Sequence, residues 1–255
     1  MSILGKLNKA EDQEEVKDVI YRGNEPLPTG LYPATVKLAI LKEAKSGAVG
    51  VELHLDIDGK NVREDIYLTN KAGDTFYTRE KDGVDVNYPL PGYTTTNDLA
   101  LLTAGSYIED QETEKKTVDL WDSEAGEEIP QVVDMLEDIR GKKIIVGLFL
   151  DKDYKQKKTD AGKWVDDLAA PEVMRNSIHK LFSEDGFTVQ EMIAELDEPV
   201  FINEWKESFG SGDYINDKTI AKKRKAAKAG PAAKAGAAAS PAGSKPKTGM
   251  FNKKK

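Results

Sequence analysis

Three consecutive segments between residues 31 and 68 alternate apolar and polar side chains, and this alternation constrains the fold more than any other feature. The residues that share the repeating face are Tyr32, Ala34, Val36, Leu38 and Ile40, then Val49, Val51, Leu53, Leu55 and Ile57, then Val62, Glu64, Ile66 and Leu68. A period of two is typical of a β-strand. Asp58-Gly59 is a strong signal for a two-residue hairpin turn. The segments therefore predict an antiparallel meander of three strands.

The residues after the meander predict a loop, a helix and further strands. Residues 70–93 have a loop composition, and residues 98–104 read as a short helix that ends at Gly105. Residues 132–139 have helical spacing, and residues 144–150 return to the strand period. Three strands, a helix and more strands are the order that a five-stranded OB-type barrel requires. We therefore predict a mainly β fold, an OB-fold-like five-stranded antiparallel barrel with C-terminal helices and a disordered basic tail.

Changes in composition divide the chain into four parts. They are a flexible N-terminal segment (1–25), an OB-like domain (26–165), a helical extension (166–209) and a disordered tail rich in Lys, Ala, Gly and Pro (210–255). The extension rests on the helical spacing of Met174, Ile178 and Leu181, and on a capping-box pattern at Thr188 and Glu191. The tail has almost no large apolar groups, so burial cannot offset the entropy of ordering it.

Charge is distributed unevenly along the chain. The sequence has 45 acidic and 37 basic residues, yet none of the acidic residues follows Asp217. Residues 218–255 carry twelve Lys or Arg, which leaves 25 basic and all 45 acidic residues, a net charge of −20, in the first 217. An acidic body with a basic tail suggests binding to a polyanion or charge-driven association.

The composition excludes most familiar catalytic and metal sites. The chain has no cysteine, so disulfides, thiolate metal sites and Cys nucleophiles are ruled out, and only His54 and His179 could supply imidazole. No apolar run approaches the length of a membrane-spanning helix. We expect no catalytic residue, no metal and no cofactor. One enzyme alternative stays open, a metal-dependent nuclease that uses the Asp pairs Asp56/Asp58 and Asp151/Asp153.

Basic and aromatic side chains accompany the polar face of the meander and the loops that follow it. A protein that binds single-stranded nucleic acid needs Lys and Arg along the phosphates and flat rings on which bases stack. The candidate residues are Lys37, Arg63, Tyr67, Phe76, Tyr77, Tyr88, Tyr93, Lys142, Lys143, Phe149, Lys152 and Lys155. The alternative is that rings such as Tyr93 and Phe149 pack inside. Glu52, Asp56 and Asp65 share the polar face and weaken a uniformly positive groove.

Several stretches resemble bacteriophage single-stranded DNA-binding proteins of the OB-fold type. They are LPTGLYPATVKLA, VELHLDIDGKNVREDIYLTN, LPGYTTTNDLALLT and DMLEDIRGKKIIVGLFL, within residues 26–209. The resemblance implies a protein that coats exposed single strands in the host cytoplasm during phage replication or recombination, with replication or recombination proteins as partners. It carries over no base-contacting residue, because the matching stretches are mostly core and turn positions.

The basic tail departs from that resemblance, since many such proteins have an acidic C-terminal tail. We hypothesise that the tail adds phosphate contacts and steepens the salt dependence of DNA binding. Its candidate residues are Lys222, Lys223, Arg224, Lys225 and Lys228. The alternative is that the tail docks on the acidic body. A different function also stays open, a scaffold or DNA-condensing protein with an acidic partner-binding body and a basic duplex-binding tail.

Overall fold

A computed structural model describes residues 25–122, 125–160 and 162–229, with side chains through residue 224. The strands are β1 Gly30–Glu43, β2 Val49–Ile57, β3 Lys60–Tyr67, β4 Phe76–Lys81, β5 Val84–Pro89, β6 Thr113–Asp122, β7 Glu127–Leu136, β8 Lys143–Asp153, β9 Gln156–Lys158, β10 Trp164–Asp166, β11 Val173–Phe182 and β12 Ile215–Asp217. The helices are α1 Pro91–Ala104, α2 Val189–Ile193, α3 Phe201–Phe209 and α4 Thr219–Ala229. The predicted flexible segment lies outside the described residues except for Glu25.

The predicted meander is confirmed as β1, β2 and β3. The register joins Thr35 to Asp56 between β1 and β2, and Ile57 to Lys60 between β2 and β3. Asp58 and Gly59 form the turn with φ values of 51° and 78°. Two positive φ angles belong to the hairpin turn whose twist matches that of the flanking strands.

The main sheet is antiparallel along the order β11-β8-β1-β2-β3. β1 is shared, because its first half pairs with β8 and its second half meets β7 through Ile40 and Leu41. β12 lies parallel to the end of β8. Among the described residues no backbone ladder joins β3 to β11, so the barrel is not closed. A side chain bridges the gap instead, where the Ile178 N–H donates to the Glu64 carboxylate at 2.6 Å.

Two hydrophobic clusters lie on opposite faces of β8. Ile144, Val146 and Leu148 join the larger cluster, which the meander, α1 and Leu181 complete. Phe149 belongs to a second cluster with Phe182 and Trp205, on the side where α3 packs. β8 is therefore buried on both faces, and α3 is part of the fold that supports the sheet.

Helix α1 ends at Gly105 as predicted, with φ of 74°, but it begins at Pro91 and not at Asp98. Thr94, Thr95 and Thr96, which precede the predicted start, lie inside the helix, where their hydroxyls donate to carbonyls four residues earlier. Proline suits the first helical position because it lacks the N–H that has no intrahelical partner there.

The prediction of a helical extension over 166–209 is wrong for its first half. Residues 173–182 form β11, which pairs with β8, and only α2 and α3 are helical. The misleading spacing comes from a bulge, because the register shifts between Ile178 and Lys180. The extra residue places both Ile178 and Leu181 against the larger cluster, and a spacing of three resembles a helix. Met174 is 39% exposed and does not belong to that cluster.

Two further expectations need correction. Residues 132–136 belong to β7, and the chain then turns through residues 137–141, so no helix forms there. The predicted disordered tail does not begin at residue 210, because β12 and α4 follow. The chain divides into two units after Lys218, and α4 is the described part of the second. Residues 230–255 lie outside the described residues.

Candidate nucleic-acid interface

The polar face of the meander is a network of ion pairs centred on Glu52. The Arg63 Nε and Lys42 Nζ atoms lie 2.9 Å and 3.2 Å from its carboxylate oxygens. His54 Nε2 lies 2.8 Å from the same carboxylate. This hydrogen bond with His54 is the largest cause that lowers the pKa of Glu52 to about 2, and Lys42 and Arg63 lower it further.

The same face holds two more ion pairs. Lys37 Nζ lies 2.9 Å from Asp56 Oδ2, and Lys42 also contacts Asp65. Lys37 and Arg63, both predicted to contact DNA, therefore point outward but are matched by carboxylates. These pairs do not make a uniformly positive groove. The acidic residues Glu52, Asp56 and Asp65 interrupt it, as the sequence indicated.

Residues 76–89, predicted as loop, form the β4–β5 hairpin with two chemically different faces. Its register pairs Tyr77 with Tyr88, Arg79 with Val86 and Lys81 with Val84. Paired residues lie on the same face of an antiparallel ribbon, so these six share one face. The Tyr77 and Tyr88 rings stack with centroids 5.7 Å apart and planes inclined by 24°. We call these six residues the tyrosine face.

The opposite face of the hairpin is acidic and polar. It carries Phe76 paired with Pro89, a hydrogen bond from Thr78 Oγ1 to Asn87 Oδ1 of 2.7 Å, and Glu80 beside Asp85. The two cations and the stacked rings thus lie together, and the two carboxylates lie away from them. The tyrosine face combines a ring surface with positive charge, the combination that single-stranded nucleic acid requires.

The hairpin leaves the sheet between the end of β3 and the start of α1. A hydrogen bond of 2.8 Å from Leu90 N to Thr75 O closes its base. Tyr67, at the end of β3, is 46% exposed, and its carbonyl lies so close to Gly92 that a Cβ there would overlap it. Phe76 and Tyr77 are exposed as well, so three of the predicted aromatic residues are exposed in this region.

Phe149 is buried and Tyr93 is half-buried, so Phe149 is a correction to the predicted set and Tyr93 is exposed only in part. Tyr93 packs against the larger cluster, and its hydroxyl donates to Glu109, which raises the pKa of Tyr93 to about 12. Phe149 is buried in the second cluster and stacks on His179 with ring centroids 4.0 Å apart. The position of Phe149 in its strand does not predict this burial. The helix that covers it, α3, is more than fifty residues away in the sequence.

The predicted lysines within and next to β8 lie in three different environments. Lys142 and Lys143 are exposed beside the middle of β1, where Lys143 pairs with Thr35. Lys152 lies 2.7 Å from Glu172. Lys155 is exposed where the chain enters the β9–β10 hairpin. The structure therefore does not gather these four into one patch.

Sequence reasoning missed several exposed groups on the hairpins. Arg79 and Lys81 follow Tyr77 with a period of two, a signal that the loop composition concealed. Trp164, which is 61% exposed, pairs with Lys158 across the β9–β10 hairpin. The sign of the nearby charges distinguishes these rings from Trp121, which is 60% exposed but opposite Glu128.

The predicted tail contacts begin within α4. Lys222, Lys223, Arg224, Lys225 and Lys228 all fall in this helix, which has no acidic residue. Lys223 and Arg224 are exposed and Lys222 is half-buried, whereas the side chains of Lys225 and Lys228 lie outside the described residues.

The Asp pairs considered for a metal-dependent nuclease are largely occupied by other groups. Asp56 pairs with Lys37, Asp151 contacts Lys218, and Asp153 lies 2.6 Å from Arg175. Within the described residues, no three acidic or His side chains are grouped so that they could hold a metal ion. No helix of the described chain is long and apolar enough to cross a membrane. Neither protein-family models nor curated protein sequences give a match to this chain.

Proposed function

We propose that this protein is a non-enzymatic, sequence-independent single-stranded DNA-binding protein with an OB-type barrel. The tyrosine face of the β4–β5 hairpin carries the proposal. It offers a pair of stacked rings for bases, with Arg79 and Lys81 on the same face for phosphates. Stacking tolerates any sequence because every base has a π-face. Recognition of single strands also follows, since the bases of a duplex are already stacked on one another.

The order of elements supports the OB-type assignment. Three meander strands precede α1, and β8 and β11 follow it, with β1 between β2 and β8. The nearly closed edge between β3 and β11 suits a five-stranded, partly open barrel, a fold that binds oligonucleotides on its strands and loops. The hairpins β4–β5 and β9–β10 are then extended loops of the barrel, and they contact the bound single-stranded DNA.

The resemblance to phage single-stranded DNA-binding proteins supports the biological setting. We place the protein in the host cytoplasm, where it would coat and protect strands exposed during phage replication or recombination, together with replication or recombination proteins. The basic residues of α4 would add phosphate contacts that do not depend on sequence. The tail then differs in charge, and so in role, from the acidic tails of similar proteins.

The opposite charges of body and tail favour a second candidate function. Consecutive basic residues at 222–225 on α4 suit binding to a polyanion, and the acidic body suits a protein partner. In that case the protein is a scaffold that condenses duplex DNA through its tail. The tyrosine face has no role in this alternative, so its variants distinguish the two functions.

Replacing either tyrosine of the stacked pair should weaken binding to a labelled oligo-dT by about 5- to 150-fold, because each base stack is worth about 1–3 kcal/mol. The variants are Tyr77→Ala and Tyr88→Ala, measured by fluorescence anisotropy at fixed salt. Thr78→Ala on the opposite face of the hairpin is the matched control and should bind like the wild type. If both tyrosine variants bind with wild-type affinity, the hairpin is not part of the DNA-binding site.

A further inference from the structure

The β6–β7 hairpin, residues 113–136, extends from the main sheet as an arm. β7 pairs with β1 only through Met135 and Asp134. Over the rest of its length, within the described residues, the arm's two strands pair only with each other. Among the described residues, no strand other than β7 pairs with β6, so the outer edge of β6 is open to another strand. An open strand edge is a template for pairing with another strand.

The arm also exposes apolar side chains that its own two strands do not cover. Val132 is 68% exposed and Trp121 is 60% exposed, on the face that they share with Thr117. The other face carries Val118, Leu120 and Ile129, each half-buried. A two-stranded ribbon is marginally stable in water by itself. Additional strands at its edge would extend it into a sheet and give these side chains cross-strand neighbours on both faces.

The charge of the arm argues against nucleic acid as the molecule that binds it. Residues 113–136 contain seven acidic and two basic residues, a formal net charge of −5. Phosphates would be repelled from such a surface. The arm and the tyrosine face, both formed by hairpins, therefore suit different kinds of partner.

The order of charges along β6 is complementary to itself when the strand is reversed. Lys115 and Lys116 lie in its first half together with Glu114, which pairs with Lys116 at 2.7 Å, and Asp119 and Asp122 lie in its second half. Antiparallel pairing of two such strands about Thr117 sets Lys115 of each strand opposite Asp119 of the other. Parallel pairing would set like charges opposite each other, which is destabilising.

We propose that β6 pairs with β6 of a second copy of this chain, antiparallel about a two-fold axis at Thr117. This register places Lys115 opposite the second copy's Asp119 and Thr113 opposite its Trp121, and the symmetry repeats both contacts. All four residues lie on the exposed face of the arm. The two arms then form one continuous four-stranded sheet. The pairing needs no DNA and so does not depend on the proposed function.

The register allows a test by exchanging charges. The full-length protein, free of DNA, is followed by analytical ultracentrifugation from about 1 to about 100 µM, a range that suits a small interface. Lys115→Asp and Asp119→Lys should each weaken dimer formation about tenfold or more, because each puts like charges opposite one another twice per dimer. The double variant should return to within about threefold of the wild type, because the exchanged charges match again.

Two details make the double variant decisive. Within one chain Asp119 lies opposite Pro130, so Asp119→Lys removes none of the ion pairs described for the arm. Lys115, in contrast, also contacts Asp134 at 2.9 Å. Lys45→Asp, in the exposed β1–β2 turn, is the matched charge control and should dimerise like the wild type. Circular dichroism checks that each variant is folded. A monomer throughout the concentration range, or a double variant as weak as the single ones, would overturn the proposal.

Discussion

Replacing Trp205 with alanine is expected to lower the free energy of unfolding by about 3–5 kcal/mol, the usual cost of removing a large buried aromatic side chain. Trp205 is 2% exposed. Its indole N–H donates to His179 Nδ1 at 2.8 Å, and its ring packs beside Phe149 and Phe209. The ring also lies so close to Gly147 that a Cβ there would be 3.0 Å from it.

The measurement is urea unfolding of the full chain, with Trp164→Ala as the matched control. Trp164 is 61% exposed, so removing it should change the free energy of unfolding by no more than about 0.5 kcal/mol. If the two variants lose equal stability, α3 is an appendage and the second cluster is not part of the core. A large difference would establish that β8 depends on burial of both its faces.

Glu64 is expected to make the protein less stable as pH rises towards neutrality. Its side chain points inward from β3, and burial is the largest cause that raises the pKa of Glu64 from 4.5 to about 7. Asp151 and Asp65 raise this pKa further, while Lys218 and the Ile178 N–H oppose the rise. Since the folded protein holds the proton more tightly than the unfolded chain, stability from this group is complete below pH 4.5. It declines as pH increases to about 7.

The size of this effect follows from the shift, which corresponds to about 3 kcal/mol above pH 7. Glu64→Gln keeps an oxygen that can accept from Ile178 N–H but has no proton to lose. The variant should therefore unfold with a free energy about 3 kcal/mol higher than wild type at pH 8, and nearly the same at pH 4.

Comparing the two proteins by urea unfolding at both pH values separates Glu64 from other titrating groups. Glu43→Gln, at the exposed end of β1, is the control and should follow the wild type at both. A Glu64→Gln variant whose stability differs from wild type by the same amount at pH 4 and pH 8 would show that the carboxyl titrates normally. The gap between β3 and β11, which Glu64 bridges, would then be accessible to water.

The parts of the fold that the sequence predicts well are those in which local signals agree. In the meander, alternation and the Asp58-Gly59 turn indicate the same strands. The predicted face of β1 is wrong after Val36, because a bulge there turns Ala39 and Leu41, and not Leu38 and Ile40, towards the larger cluster. β11 escaped prediction because a bulge near His179 breaks the alternation. The hairpins β4–β5 and β6–β7 escaped because both of their faces are exposed or half-exposed, so burial leaves no simple pattern of apolar residues.

The candidate site was only partly predictable for a related reason. Tyr77 and Tyr88 were identified as rings, but their stacking depends on the turn at residues 82–83 that sets the hairpin register. Arg79 and Lys81 share their face only once that strand is recognised. Phe149 was misassigned because its environment is set by Trp205 and Phe209, which are distant in sequence. The pairing of Arg63 with Glu52 likewise depends on neighbouring strands.

The central claim is that the body of this protein binds single-stranded DNA in preference to duplex. The direct measurement is fluorescence anisotropy with a labelled oligo-dT and a duplex of equal length, over a series of salt concentrations. It compares the full chain with a variant that ends at Lys218, where the first unit ends. We predict tighter binding to the single strand for both proteins, with a shallower salt dependence for the shorter one. Equal affinity for the two DNAs, lost when α4 and the residues after it are removed, would contradict the account.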